Sequence, residues 1–561
     1  MKIKFNCWTY LYILIAIGFI LRVIAAINIG VTADDMHFAP GAINFLSSGK
    51  LVYWDQSSAL WFAVTDIFYQ ILGPTQIASR AASILFGTLT IPLIFMLAML
   101  LFKDKSIAYI AAVLVTFSNQ HIKSMMAEMD VMAMFFAFFS IYFLYKSYTK
   151  EFDKKNIAIS GILLGLAIYT KVYPLLFIPG MLLFMYKNKC STKKLALFCS
   201  IIFIFCIPTL THNYLLFKDK GLMDHQFTRV FGDAQHKAAF SWIAGNNSSF
   251  GFITMFNGII EMSKQLFRAD PAVILFGLFG LAYLFYNGYK DKKPQLQLLF
   301  CSTILPFLYL CSMMNLIKHY LFVNIVLIFP AAIFIKNNIS NSKFSKSVLL
   351  ITFIIFSMGN LSVVNSNTNF YERSSVSSLM EYKEQNIANN SIVILDSRIY
   401  RGQLIWMFSD RHYLESTYLG ELFNLPFGPN FDTYFVECKI DDCGWGTISN
   451  QPEFNESNEK TVQFFNKPGI STKVFENKNF LVYKTVFYLP KNILWTIDSK
   501  HIWWMYPLGY KENILEIFDE YEARGNLDRS LDRLAHMILY ISIVLVFISI
   551  LLLLYYLVRY V

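Results

Sequence analysis

The stretch ILYISIVLVFISILLLLYYLV, Ile538 to Val558, contains no charged side chain. A helix rises about 1.5 Å per residue, so about 20 apolar residues cross the roughly 30 Å hydrocarbon core of a bilayer. Leu11 to Ile27, broken only by Arg22, and Ala272 to Tyr286 with its flanks have the same character. Outward from these runs, hydropathy predicts helices near 8–28, 77–102, 106–120, 125–145, 157–170, 172–186, 195–211, 271–289, 296–314, 319–335, 347–364 and 534–559, about twelve in all. The 561 residues are 55% hydrophobic and 15% charged, with a mean hydropathy of +0.45, which excludes a cytosolic soluble enzyme and a disordered chain. Lys2 and Lys4 precede a first apolar run too long for a signal peptide and without a small-residue cleavage site, so it reads as an uncleaved membrane helix.

The net charge of +10 comes from 48 Lys and Arg against 38 Asp and Glu. These bases are spread over alternate loops, which argues for a bilayer and against nucleic acid as partner. Threading the helices alternately puts Lys2 and Lys4, Lys103 and Lys105, Lys146 to Lys155, Lys187 to Lys194, Lys290 to Lys293, and Lys336 to Lys346 on one side. By the positive-inside rule that side is cytoplasmic. The opposite side receives loop 29–76, loop 212–270 and a tract at 365–533. The chain thus divides into a transmembrane catalytic domain (1–364), an extracytoplasmic soluble domain (365–533) and a C-terminal membrane helix (534–561). Strand-like runs at 391–395 and 480–483 make the soluble tract mixed α/β. Six cysteines lie in or beside apolar runs. Cys438 and Cys443 are the pair whose polar surroundings suit a disulfide.

Ionisable groups at membrane depth are costly, so those near the outer helix ends are candidates for function. Asp34 and Asp35 follow the first helix. Glu128 and Asp130 lie at the outer end of the fourth, Lys171 between the fifth and sixth, and Lys318, His319 and Tyr320 between the ninth and tenth. Arg22 and Arg80 lie near the outer ends of the first two. Acids on some segments and bases on others, above a lipid-facing cavity, suit attack on a phosphate-linked lipid. A carboxylate takes the acceptor's proton, and cations hold the departing phosphate.

Three runs carry a family likeness: Ala33-Asp34-Asp35-Met36-His37-Phe38-Ala39, Gly73-Pro74-Thr75-Gln76-Ile77-Ala78-Ser79-Arg80-Ala81-Ala82-Ser83, and Gly161 to Lys171. With Lys318-His319-Tyr320-Leu321-Phe322-Val323 through Pro330, they resemble the GT-C membrane glycosyltransferases, in particular the protein O-mannosyltransferase and aminoarabinose (lipid A) transferase group, over about 1–335. The resemblance implies a polytopic α-helical GT-C fold and transfer of a hexose or pentose, with inversion, from a dolichyl- or undecaprenyl-phosphate donor. The acceptor would be a protein Ser/Thr or a cell-surface glycan or lipid, on the outer face of a plasma or ER membrane. By motif position it implies Asp34 as catalytic base and Asp130 as the second acid. Adjacent helical side chains diverge by about 100°, so Asp35 orients the acceptor or a partner cation. Lys171 and Lys318 would hold phosphate with His319, and Glu128, Tyr320 and Arg80 complete the substrate site.

Loop 1 reads Asp55-Gln56-Ser57-Ser58-Ala59-Leu60 where the lipid A branch has Lys-Pro-Pro-Leu, which argues against lipid A as acceptor. Trp503-Trp504-Met505-Tyr506 invites comparison with the oligosaccharyltransferase signature but lacks its acid and glycine. The alternatives are therefore an oligosaccharyltransferase-like enzyme and a non-enzymatic membrane carrier or assembly protein. Arg398, Arg401, Arg411 and His412 of the soluble domain would serve the last of these or a phosphate contact. No cofactor is required. Carboxylates beside phosphate can share a divalent metal, but no spacing demands one.

Overall fold

The structure, a computed structural model, describes residues 7–29, 38–49, 51, 59–73, 75–221, 223–224, 227, 252–287, 293–313, 317–339, 373–388, 391–396, 408, 411–415, 431–439, 452–487 and 521–560. The helix expected at 347–364 and the tryptophans at 503 and 504 lie outside these residues, as do Arg398 and Arg401.

In chain order the membrane part comprises α1 (Cys7–Asn28), α2 (Phe45–Ser48), α3 (Ala59–Leu72), α4 (Gln76–Ser79), α5 (Ala81–Phe102), α6 (Lys105–Phe117), α7 (Asn119–Lys123), α8 (Asp130–Tyr148), α9 (Lys154–Thr170), α10 (Ile178–Lys187) and α11 (Thr192–Lys220). It continues with α12 (Phe252–Ala269), α13 (Pro271–Asn287), α14 (Lys293–Met313) and α15 (Leu321–Ile339). Among the described residues, seven helices are long and apolar enough to cross a membrane, or eight if α12 and α13, bent by 117° at their junction, form one broken span. The shorter apolar helices Ala59–Leu72, Lys105–Phe117 and Tyr173–Lys187 accompany them. The chain is a multi-pass membrane protein; one of the twelve expected spans lies outside the described residues, and others differ from this count for a physical reason. Some predicted apolar runs form helices shorter than a bilayer is thick. Helix α3 is one that hydropathy assigned to a loop, and Ala59 to Val64 on it are buried.

Between helices lipid offers no hydrophobic driving force, so close backbone approach does the packing. A Cβ at Gly180 would come within 1.8 Å of the Cys301 carbonyl oxygen, and one at Gly280 within 2.0 Å of that of Pro330. Glycine is what lets α10 meet α14 and α13 meet α15. Arg22, fully buried in α1, donates from Nη1 to the Gly18 carbonyl at 3.1 Å and from Nη2 to that of Val115 at 3.2 Å.

The sheet domain holds α16 (Arg373–Asn386), β1 (Ile392–Leu395), β2 (His412–Glu415), β3 (Phe431–Cys438), α17 (Pro452–Phe465), β4 (Thr472–Glu476) and β5 (Phe480–Phe487). The strand order is β2-β1-β3-β5-β4. β1 runs parallel to β2 and β3, with Ile394 beside Leu414 and Phe435, whereas β5 runs antiparallel to β3 and β4. Ile392-Val393-Ile394-Leu395 is apolar at every position because a central parallel strand is covered on both faces. The edge strand β4 is largely exposed and carries Lys473 and Glu476, charges that oppose edge-to-edge pairing. Cys438 is disulfide-bonded. Helix α18 (Gly525–Tyr560) returns to the bundle and joins α11 through Lys218 and Asp528 at 2.7 Å.

Candidate active site

The segment between α7 and α8 opens the site. It is stapled to α5 by Ser83, whose hydroxyl donates to the carbonyls of Met126 at 2.7 Å and Glu128 at 3.3 Å. Asp130 then begins α8, where a negative charge faces the positive end of the helix dipole. Its carboxylate is wholly buried. Lys171 terminates α9 in an extended conformation, its N–H bonded to Ala167. From there its Nζ donates to Asp130 Oδ2 at 2.6 Å. The 3-10 turn Ile317–Tyr320 leading into α15 brings His319 Nδ1 to 3.1 Å from both Asp130 oxygens and 3.2 Å from Lys171 Nζ. On the same turn Lys318 Nζ faces Glu128 Oε2 at 3.8 Å. That is ion-pair range and too long for a hydrogen bond. Lys171 Nζ also lies 5.8 Å from the centre of the Tyr173 ring.

Two acids and two lysines thus form one cluster, and exposure divides them. The carboxylates of Glu128 and Asp130 are 1% and 0% exposed, whereas the side chains of Lys318 and Lys171 keep 15% and 13%. The lysine side chains reach the accessible surface and the acids do not. Both ammonium groups also lie close to the amino end of α15, whose dipole adds positive potential. The open side of the cluster suits an anion. Both Asp130 oxygens are engaged by the chain's own Lys171 and His319. Among the described residues no three His, Cys, Asp or Glu side chains converge in a metal-binding group.

Two further predicted residues, Arg80 and Tyr320, have other partners. Arg80 is buried and donates from Nη1 to the carbonyls of Ala26 at 2.6 Å and Ile29 at 2.7 Å, closing the carboxyl end of α1. Tyr320 is buried with its hydroxyl 3.7 Å from Cys311 Sγ, turned towards α14. Asp34 and Asp35 lie outside the described residues, but the segment that follows them is anchored. Tyr69 of α3 donates its hydroxyl to the Ala39 carbonyl at 3.0 Å, and Asp66 Oδ2 accepts the Leu46 N–H at 2.9 Å. His536 of α18 meets the Gly49 carbonyl at 2.8 Å. Sequence reading missed Asp66, and it missed Asp270, which is buried at the α12–α13 junction. The signal for Asp270 was present, since Asp-Pro before an apolar run marks a helix start.

The broken-span bundle with its short packed helices and mixed sheet domain has solved counterparts. ArnT from Cupriavidus metallidurans, solved with undecaprenyl phosphate, is 11% identical over 85% of this chain and 97% of its own, with a TM-score of 0.58. Residues 58–212 match the family model described as dolichyl-phosphate-mannose-protein mannosyltransferase. The Archaeoglobus fulgidus oligosaccharyltransferase, solved with a tethered NVT acceptor peptide, is 15% identical over 78% of this chain and 69% of its own, with a TM-score of 0.50. In complex with Zn and sulfate the same enzyme is 16% identical at a TM-score of 0.49, and the match covers 72% of this chain and 61% of that one. No curated protein matches in sequence. At these identities the shared property is the fold, and the chain has the GT-C fold.

Proposed function

We propose that this protein transfers a sugar from a polyprenyl-phosphate carrier, dolichyl- or undecaprenyl-phosphate, to an acceptor hydroxyl on the extracytoplasmic face, with inversion. The observation that carries the reading is the division of exposure in the cluster: Lys171 and Lys318 keep 13% and 15% of their side chains exposed, and their carboxylates are sealed. Such a surface binds a phosphate monoanion or dianion and stabilises it further as it departs with the bonding electron pair. Undecaprenyl phosphate in ArnT supports the same ligand class here.

The acceptor oxygen attacks the anomeric carbon from the face opposite the phosphate. The carbon–oxygen bond to phosphate breaks, and the acceptor's proton passes to a carboxylate, a role we assign to Asp34. Asp130 holds the Lys171 ammonium in place rather than accepting that proton, because both its oxygens already receive donors. A protein Ser/Thr is the first acceptor class, followed by a cell-surface glycan or lipid. The disulfide at Cys438 supports an oxidising compartment for the sheet domain, in agreement with the charge pattern of the loops.

The test is a donor panel of polyprenyl-phosphate sugars offered to detergent-purified protein, wild type beside Asp34→Asn. Wild-type consumption of one donor, with binding retained and turnover lost in Asp34→Asn, is the expected result. Full turnover in the variant removes Asp34 from the mechanism, and no binding across the panel refutes the transferase reading.

A further inference from the structure

Asp270 occupies the break between α12 and α13, where the two helices meet at 117°. It is 1% exposed, and its backbone carbonyl begins the hydrogen bonds of α13 by accepting the Ile274 N–H at 3.1 Å. A helix cap requires one side-chain oxygen aimed at its own first turn, and Oδ1 faces the Val273 N–H at 3.5 Å. The other oxygen has a different task. Oδ2 accepts the Ser118 hydroxyl, at the start of α7, and the Asn324 Nδ2–H of α15 at 2.9 Å. The Asn324 amide also donates to Gln120 Oε1 at 3.0 Å, and Asn119 Nδ2 donates to the Ala269 carbonyl at 2.6 Å.

These partners belong to the two arms of the active site. Helix α7 runs directly into the segment bearing Glu128 and Asp130, and Asn324 follows closely on Lys318 and His319 at the start of α15. One carboxylate oxygen therefore ties the acidic arm to the basic arm from beneath. We propose that Asp270 is a positioning residue: by holding α7 and α15 together, it sets the gap across which Lys318 faces Glu128 and His319 faces Asp130. Its catalytic meaning rests on the transferase reading above. The 3.8 Å separation of Lys318 and Glu128 is the part most sensitive to a shift of either arm.

The experiment uses full-length protein in detergent: wild type, Asp270→Asn, Asn324→Ala, and the exchange Asp270→Asn with Asn324→Asp. Two quantities are read, the affinity for undecaprenyl phosphate and amide hydrogen exchange over residues 124–131 and 317–324. Asp270→Asn removes the charge and leaves one accepting oxygen where the carboxylate has two, so Val273, Ser118 and Asn324 compete for it. The expectation is an affinity about tenfold weaker and faster exchange in both arms together. The exchange variant returns both quantities towards wild type, because a carboxylate again faces a carboxamide and Gln120 can turn its amide to donate. If Asp270→Asn does not fold, Asn324→Ala keeps the cap of α13 and carries the same expectation.

Faster exchange confined to 269–274 with unchanged affinity would reduce Asp270 to a helix cap, and failure of the exchange variant to recover would equally overturn the proposal. If wild type itself does not bind undecaprenyl phosphate, the donor assignment fails, and hydrogen exchange in the two arms still decides the positioning claim.

Discussion

Lys171 is where stability and donor binding can be separated. Lys171→Met keeps the length of the side chain and removes its charge, leaving Asp130 wholly buried with His319 still beside it. Removing one member of a buried ion pair costs about 3–5 kcal/mol, and the His319 contact places this case near 3 kcal/mol. Adding Asp130→Asn removes the orphaned charge, so the double variant returns to within about 1 kcal/mol of wild type. Donor binding behaves differently. The ammonium supplies a charge-assisted contact of about 1.5–3 kcal/mol to phosphate, a factor of roughly 10 to 150 in Kd, and Asp130→Asn cannot restore it. Unfolding titrations in mixed detergent and equilibrium binding of undecaprenyl phosphate, on wild type and the two variants, measure both quantities. Stability lost in Lys171→Met and regained in the double variant, with donor affinity low in both, is the predicted pattern. Recovery of donor affinity in the double variant, or a loss of stability below about 1 kcal/mol in Lys171→Met, would refute the reasoning.

Lys318→Ala should weaken undecaprenyl-phosphate binding about tenfold while Glu128→Gln preserves it; equal affinities for wild type and Lys318→Ala in the same assay contradict the phosphate assignment. Gly280→Ala drives a Cβ against the Pro330 carbonyl and should cost about 1–3 kcal/mol in the mixed-detergent titration, and wild-type stability would show that α13 and α15 can separate freely. In the sheet domain, hydrogen bonds from Lys439 and then Lys473 hold the Glu476 carboxyl at about 2, below its ordinary 4.5. A depressed carboxylate contributes stability above its unfolded value and loses it as pH falls through the folded one. Amide exchange over 472–487 in Glu476→Gln should therefore exceed wild type at pH 6, with the difference closing between about pH 4.5 and about pH 2; a difference constant across that window would exclude the linkage.

Much of the site can be read in the sequence as a set of candidates. Glu128, Asp130, Lys171, Lys318 and His319 stand out because charged groups beside apolar runs need a reason to be there. The structure brings all five into one cluster. Arg80 stands out by the same rule and Tyr320 by the family resemblance, and both have other partners, Arg80 the last carbonyls of α1 and Tyr320 the Cys311 sulfur. A cation at a helix end closes carbonyls as readily as it binds a ligand, and no local pattern distinguishes the two. Asp270 escaped notice because its partners Ser118, Gln120 and Asn324 are ordinary polar residues distant in sequence.

The sequence by itself determined that the chain lives in a bilayer and where most of its helices begin and end. Those properties depend on residues adjacent along the chain, through the length of an apolar run and the charge at its ends. Only the tertiary structure decided that Asp130 is paired with Lys171 and His319, 41 and 189 residues away, and that the lysines rather than the acids keep some exposure. Pairing and exposure are set by which helices touch. That depends on glycine contacts such as Gly280 on Pro330 and on the bend at Asp270, features whose consequences appear only when distant segments are packed together.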